Sequence, residues 1–210
     1  MAKRKIALFG GTFDPIHLGH TAVAADAARQ IDAEKVIFLP AKRSPLKGSS
    51  PKAGESDRLK MITLATADDE RFEVSDCELK KTEPSYTLET VRDFQQRLGG
   101  ETSIYWLTGA DGIDELPFWY KITELIDECE LSVMYRGGCK PPDFAKFETL
   151  WGRQRIKKLQ RNIIQTPLID ISSTRTRGRL AAGLDVSGML APSVAEYIRK
   201  HKLYRTTMRF

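Results

Sequence analysis

A chain of 210 residues in which 41% are apolar is long enough for one large folded domain and too apolar to stay disordered. Its 33 Lys and Arg against 28 Asp and Glu leave a net charge of +5, a mild excess that suits an anionic small molecule and falls short of a nucleic-acid footprint. Cys77, Cys129 and Cys139 lie far apart without CxxC spacing, which argues against a disulfide framework or a zinc site, and no run approaches the ~18–20 apolar residues that span a bilayer.

The basic start Met1-Ala2-Lys3-Arg4-Lys5 is followed by an apolar run that breaks at Gly10-Gly11, too short for a signal-peptide core. The expectation is a soluble cytoplasmic protein with no membrane partner. Within that run, Ile6 to Phe9 reads as a buried strand. An Ala-rich helix follows over Leu18–Ile31, then a strand over Val36 to Leu39 closed by Pro40. Residues 41–54 carry Lys, Ser, Pro and Gly and read as a mobile loop. A helix is predicted over 58–67, a short strand over Phe72–Val74, and a helix over Thr87–Leu98 stopped by Gly99-Gly100.

The second half continues the alternation. Strands are predicted at Ile104 to Leu107, Leu131 to Met134 and Ile163-Ile164. Helices are predicted over 121–126, 147–159, 174–182 and 193–201. Repeated strand–helix alternation implies an α/β fold: one doubly wound, mainly parallel sheet with helices on both faces, within a single domain covering 1–210. Ligands of such sheets bind beyond the carboxyl ends of the strands, near the point where strand order reverses. The segments that follow strands are therefore the ones to search for chemistry.

The first such segment is Gly10-Gly11-Thr12-Phe13-Asp14-Pro15-Ile16-His17-Leu18-Gly19-His20. The glycines let backbone approach a ligand closely, and Thr12 adds a hydroxyl and an N–H. His17 and His20 are three apart, on one face of a helix N-terminus that favours an anion. Two imidazole donors beside free amides suit a triphosphate. Simple helix capping by both histidines is the bland reading. A metal pair is disfavoured because His201 is the sole remaining histidine and no acidic or Cys cluster completes a set. Neither a GxGxxG nor a GxxxxGK[ST] pattern is present here.

The string GGTFDPIHLGH resembles the signature of the nicotinate-nucleotide adenylyltransferases, within the HxGH nucleotidyltransferase superfamily. The resemblance implies a Rossmann-like nucleotidyltransferase fold and transfer of the adenylyl group of ATP to nicotinate mononucleotide. It also implies an ATP site at Gly10, Gly11, Thr12, Phe13, His17 and His20, with His17 and His20 catalytic.

A second segment, Ile171-Ser172-Ser173-Thr174-Arg175-Thr176-Arg177, opens another helix. Its hydroxyls are natural N-caps, but Arg177 in the first turn opposes the helix dipole unless an anion binds there. The string is similar to the family's ISSTxxR motif, which implies that Ile171, Ser172, Ser173, Thr174 and Arg177 close on the ATP phosphates. Arg177 is then the third catalytic residue. Thr176 stands where an aliphatic residue is usual.

On the acceptor side, Ser85-Tyr86-Thr87 precedes a helix, and a carboxylate suits amides at a helix start. The resemblance implies that Tyr86 and Thr87 hold the pyridine carboxylate. It also implies that Trp119, in an LPxW-like segment, stacks on the ring, and that Gly109 and Asp111 form a GxD turn at the nucleotide. Thr12, Lys47 and Arg136 complete the expected mononucleotide contacts. Leu46 stands where the family usually has His. Mg²⁺ is expected on the ATP phosphates, with no protein carboxylate cage. A homo-oligomer is left open. The rival readings are transfer to nicotinamide mononucleotide or phosphopantetheine, and an RNA-binding module built on Arg153, Arg155, Lys157, Lys158 and Arg161.

Overall fold

The computed structural model describes residues 3–42, 50–81 and 86–205. Six strands form one sheet: β1 (Arg4–Gly11), β2 (Lys35–Pro40), β3 (Phe72–Val74), β4 (Thr102–Gly109), β5 (Glu130–Arg136) and β6 (Ile163–Thr166). Their order is β3-β2-β1-β4-β5-β6, and every pairing is parallel. The eight α-helices among the described residues are α1 (Leu18–Ile31), α2 (Glu55–Thr66), α3 (Thr87–Leu98), α4 (Ile122–Glu128), α5 (Glu148–Trp151), α6 (Arg153–Arg161), α7 (Ser173–Ala181) and α8 (Pro192–Lys200).

Strand alternation sorts the core into two layers. Ile6 and Leu8 of β1 pack with Leu88, Val91, Leu125, Ile126 and Trp151, which places α3 to α6 on one face. Ala7 and Phe9 pack with Ala24, Ala27, Ile62, Val194 and Ile198, which places α1, α2 and α8 on the other. A strand covered on both faces must be apolar throughout rather than alternating, which is why β1 and β2 read as continuous apolar runs. The small side chains of Ala24, Ala27 and Ala28 are fully buried and let α1 sit close to the sheet.

Three elements differ from the sequence expectation. The helix expected over 58–67 starts earlier, at Glu55, with Glu55 and Asp57 in its first turn complementing the dipole. The helix expected over 147–159 is a 3-10 turn at Ala145–Phe147 followed by α5 and α6. Gly152, at φ 79°, breaks it, yet Trp151, Ile156 and Leu159 still reach one core, so apolar spacing alone ran across the break. A 3-10 helix at Ala110–Phe118 was not foreseen. Of the stretch 41–54, residues 43–49 lie outside the described part, so the mobile-loop reading is not addressed there. No helix among the described residues is long and apolar enough to cross a membrane.

Candidate functional site

The strand order reverses between β1 and β4, which are neighbours in the sheet although their crossovers leave to opposite faces. The carboxyl end of β1 is therefore the predicted ligand position for such a sheet. A cavity of about 440 Å³ opens there, lined by Gly11, Thr12, Phe13, Asp14, His20, Ala41, Lys42, Ser50, Pro51, Lys52, Ser173, Thr174 and Arg177. The two sequence segments singled out for phosphate chemistry thus share one wall. The Ser173 hydroxyl donates to the Pro15 carbonyl at 3.0 Å, and Arg177 Nη1 donates to the Asp14 carbonyl at 2.7 Å.

The turn that follows β1 is built tightly. A Cβ on Gly10 would lie 2.5 Å from the Trp106 ring, and one on Gly11 would lie 2.8 Å from the Phe13 ring. Phe13 has φ 48°, a left-handed conformation that costs a residue with a Cβ roughly 1–2 kcal/mol. The Asp14–Pro15 peptide is cis.

Only one of the two motif histidines reaches the cavity wall. His17 is 7% exposed and lies against His20, ring centroids 3.6 Å apart. Burial holds its imidazole well below the ordinary range, at about 4, so it is neutral near pH 7. His17 Nδ1 has no hydrogen-bond partner among the described residues and faces Gly19, whose added Cβ would stand 3.0 Å from it. That contact is the physical reason for glycine between the histidines. The His17 backbone N–H donates to His20 Nδ1 at 3.2 Å. With Nδ1 accepting, the His20 ring carries its proton at Nε2. Sequence reasoning placed both rings on the ligand; the structure puts His20 on the wall and His17 behind it.

On the opposite side, Ser172 caps α7 by accepting from the Arg175 N–H at 3.2 Å. The Ser173 and Thr174 amides sit in the first turn, where no intrahelical acceptor exists. Arg177 Nη2 also donates to Thr174 Oγ1 at 3.2 Å. These two bonds engage two of the five guanidinium N–H donors of Arg177, whose side chain also lines the cavity. The start of α1 contributes less than expected, because the Leu18 N–H already donates to the Met189 carbonyl at 2.9 Å.

The floor was not foreseen. Asp14, 5% exposed, accepts from the Lys52 N–H at 2.7 Å, the Ala53 N–H at 3.0 Å and the Tyr204 hydroxyl at 2.7 Å. Arg58, 1% exposed, donates from Nη1 to the carbonyls of Thr12 (2.9 Å) and Ala41 (2.8 Å). Burial pulls its pKa down, and the nearby Asp14 carboxylate opposes that. Lys42, which also lines the cavity, donates to the Lys81 carbonyl at 2.7 Å. The signal for Lys42 was its place directly after β2; Asp14 lay inside the motif, while Arg58 read only as a polar helix residue.

The remaining expected residues that are described do not line this cavity. Gly109 ends β4 next to β1, and the Asp111 carboxylate folds over it where a Cβ would overlap. Ile171 packs at the edge of the core. Tyr86 precedes α3, and its ring meets Tyr120 at 4.6 Å, which brings the α3 N-terminus with Thr87 close to the segment that carries Trp119. Trp119 is half-buried against the core, and Arg136 is exposed at the end of β5. Lys47, Leu46 and Ser85 lie outside the described residues. In the basic stretch on α6, Arg155 pairs with Asp127 and Lys158 approaches Glu130 at 3.5 Å, so acidic neighbours offset part of its charge.

The family described as cytidylyltransferase-like matches residues 8–179. A relative from Synechococcus sp. named as a probable nicotinate-nucleotide adenylyltransferase is 37% identical over 204 residues, covering 97% of this chain and 98% of its own. Another of that name, from Neisseria meningitidis, is 38% identical over 201 residues, covering 96% and 98%. Among solved structures, the Plasmodium falciparum nicotinic acid mononucleotide adenylyltransferase complexed with NaAD matches with a TM-score of 0.75 at 20% identity, over 98% of this chain and 100% of the other. At that identity the likeness concerns the fold.

Proposed function

Because the chain belongs to the cytidylyltransferase-like family, with near-full-length relatives among the nicotinate-nucleotide adenylyltransferases, we propose that it transfers the adenylyl group of ATP to nicotinate mononucleotide, forming deamido-NAD and releasing pyrophosphate. We read 1–210 as one nucleotidyltransferase domain acting in the cytoplasm. The observation that carries the reading is the convergence of His20 and Arg177 on one cavity at the carboxyl end of β1.

An oxygen of the mononucleotide phosphate attacks the α-phosphorus of ATP, and the bond to the bridging α–β oxygen breaks as pyrophosphate leaves. The attacking oxygen is already ionised, so no protein nucleophile is needed. Catalysis is then positioning together with stabilisation of charge on the transferring group. His20 donates from Nε2 to an α-phosphate oxygen, held in orientation by the His17 amide and ring. The free Arg177 donors and the first amides of α7 meet the β- and γ-phosphates, with Gly10, Gly11, Thr12 and Phe13 framing the chain of phosphates. Gly109, Asp111, Ile171 and Ser172 border the nucleoside side.

Among the described residues no group of three His, Cys, Asp or Glu converges as a metal site. Asp14, the acidic residue on the wall, already accepts three hydrogen bonds. Mg²⁺ therefore fits on ATP oxygens and water, where it offsets polyphosphate charge. For the acceptor, the meeting of Tyr86 with the Trp119 segment supports a pyridine site there. An anionic carboxylate suits the first amides of α3 better than a carboxamide does, and Arg136 at the end of β5 is a candidate contact for the acceptor's sugar and phosphate.

The test is pyrophosphate release from ATP with nicotinate mononucleotide, nicotinamide mononucleotide and phosphopantetheine as separate acceptors. Fastest turnover with the nicotinate compound is expected. Equal or faster turnover with another acceptor would reject the assignment.

A further inference from the structure

Tyr204 takes no part in the chemistry just described, yet its hydroxyl donates to Asp14 Oδ1 at 2.7 Å. The same carboxylate accepts the Lys52 and Ala53 amides, and the Asp14 carbonyl accepts from Arg177. One residue thus ties together the turn after β1, the segment before α2, the head of α7 and the C-terminal tail. Three of those four pieces line the cavity.

The tail is bent to make this contact. Lys202 and Tyr204 have φ of 54° and 61°, left-handed values that side chains bearing a Cβ seldom adopt. Such conformations persist where surrounding contacts over-determine them, and they cluster at functional sites. Here the Leu203 N–H donates to the Ile198 carbonyl at 3.1 Å and the Leu203 side chain packs on the core. The strained Tyr204 itself spends its hydroxyl on Asp14. Tyr204 also packs, partly buried, against the same core, but that packing does not require its hydroxyl to bond the buried Asp14 carboxylate.

We propose that Tyr204 is a positioning residue for ATP: its hydroxyl fixes the Asp14 carboxylate, and Asp14 sets the placement of Lys52 and Ala53 against the Arg177 wall. This rests on the reading of the cavity as the ATP phosphate site. Without the phenol, Oδ1 loses a donor, the carboxylate is free to turn, and the two amides it holds move with it.

The experiment measures binding of α,β-methylene-ATP by calorimetry to full-length wild type, Tyr204→Phe and Leu203→Ala, alongside steady-state KM values and thermal unfolding. Tyr204→Phe is expected to weaken the analogue and raise the ATP KM by about five- to tenfold, the worth of one lost hydrogen bond. The mononucleotide KM stays within about twofold. Leu203→Ala lowers the unfolding temperature but leaves analogue binding unchanged. Wild-type binding of the analogue in Tyr204→Phe overturns the proposal, and so does equal weakening by Leu203→Ala, which would make the tail a general support. Should Tyr204→Phe fail to fold, Asp14→Asn is measured in its place: weakened analogue binding supports the proposal and wild-type binding overturns it. A wild-type chain that binds the analogue but releases no pyrophosphate rejects adenylyl transfer, while the Tyr204 comparison still stands on binding.

Discussion

The rings of His17 and His20 stack 3.6 Å apart, and the backbone N–H of His17 donates to His20 Nδ1 at 3.2 Å. The first histidine of the pair therefore sets the orientation and tautomer of the second. The buried ring supplies packing and the one on the cavity wall supplies the donor.

In the proposed mechanism, His20→Ala removes the donor to the reacting phosphate. Its kcat should fall by about 10²-fold or more, as expected for loss of one oxyanion-stabilising donor, with a smaller effect on the ATP KM. Steady-state pyrophosphate release measures this. A loss within about threefold, worth under about 1 kcal/mol, would remove His20 from the chemistry.

His17 gives stability a pH dependence. Its folded pKa of about 4 lies below the ordinary 6.5, so at pH values between these the unfolded chain binds the proton more readily. The contribution is complete above about pH 6.5 and is lost as pH falls toward 4, amounting to about 3 kcal/mol at the lower end. Urea unfolding of wild type and His17→Gln between pH 7 and 4 measures it. The difference in stability between the two should shrink with acidification, and a constant difference would contradict the buried neutral imidazole.

Arg58→Met keeps the length of the side chain but leaves the Thr12 and Ala41 carbonyls without their donor. Each buried acceptor left unmade costs about 1–3 kcal/mol, so a loss of about 2–6 kcal/mol is expected for the two. The denaturation midpoint should drop with the slope unchanged. A midpoint within error of wild type would mean that the turn after β1 does not depend on this arginine.

Trp119→Ala should raise the mononucleotide KM by about tenfold, since stacking of a cationic ring on an indole contributes on the order of 1–2 kcal/mol. The ATP KM should stay near wild type. Because Trp119 also packs against the core, a lower unfolding temperature is expected as well. Parallel rises in both KM values would instead indicate general distortion of the site.

The fold was largely legible because parallel strands buried on both faces leave apolar runs, and the helices between them keep their spacing; α1 and α3 match the sequence reading residue by residue, while β1 extends two residues beyond Ile6–Phe9 at each end. The break at Gly152 was not, since a glycine in a helical pattern gives no sign of its φ. In the site, His20, Ser173, Thr174 and Arg177 carried their own signal as donors at helix starts. Asp14, Arg58 and Tyr204 gave no sign of their roles, because a buried polar side chain is defined by partners supplied from elsewhere in the chain.

By itself the sequence determined the element types, the parallel α/β layering and the two phosphate-type motifs, all of which follow from local spacing and backbone chemistry. Only the tertiary structure decided that those motifs face one cavity, that His17 lies behind His20, and that the C-terminal Tyr204 reaches Asp14 across 190 positions. Burial and long-range hydrogen bonding depend on which segments the folded sheet brings side by side, and no local pattern encodes that.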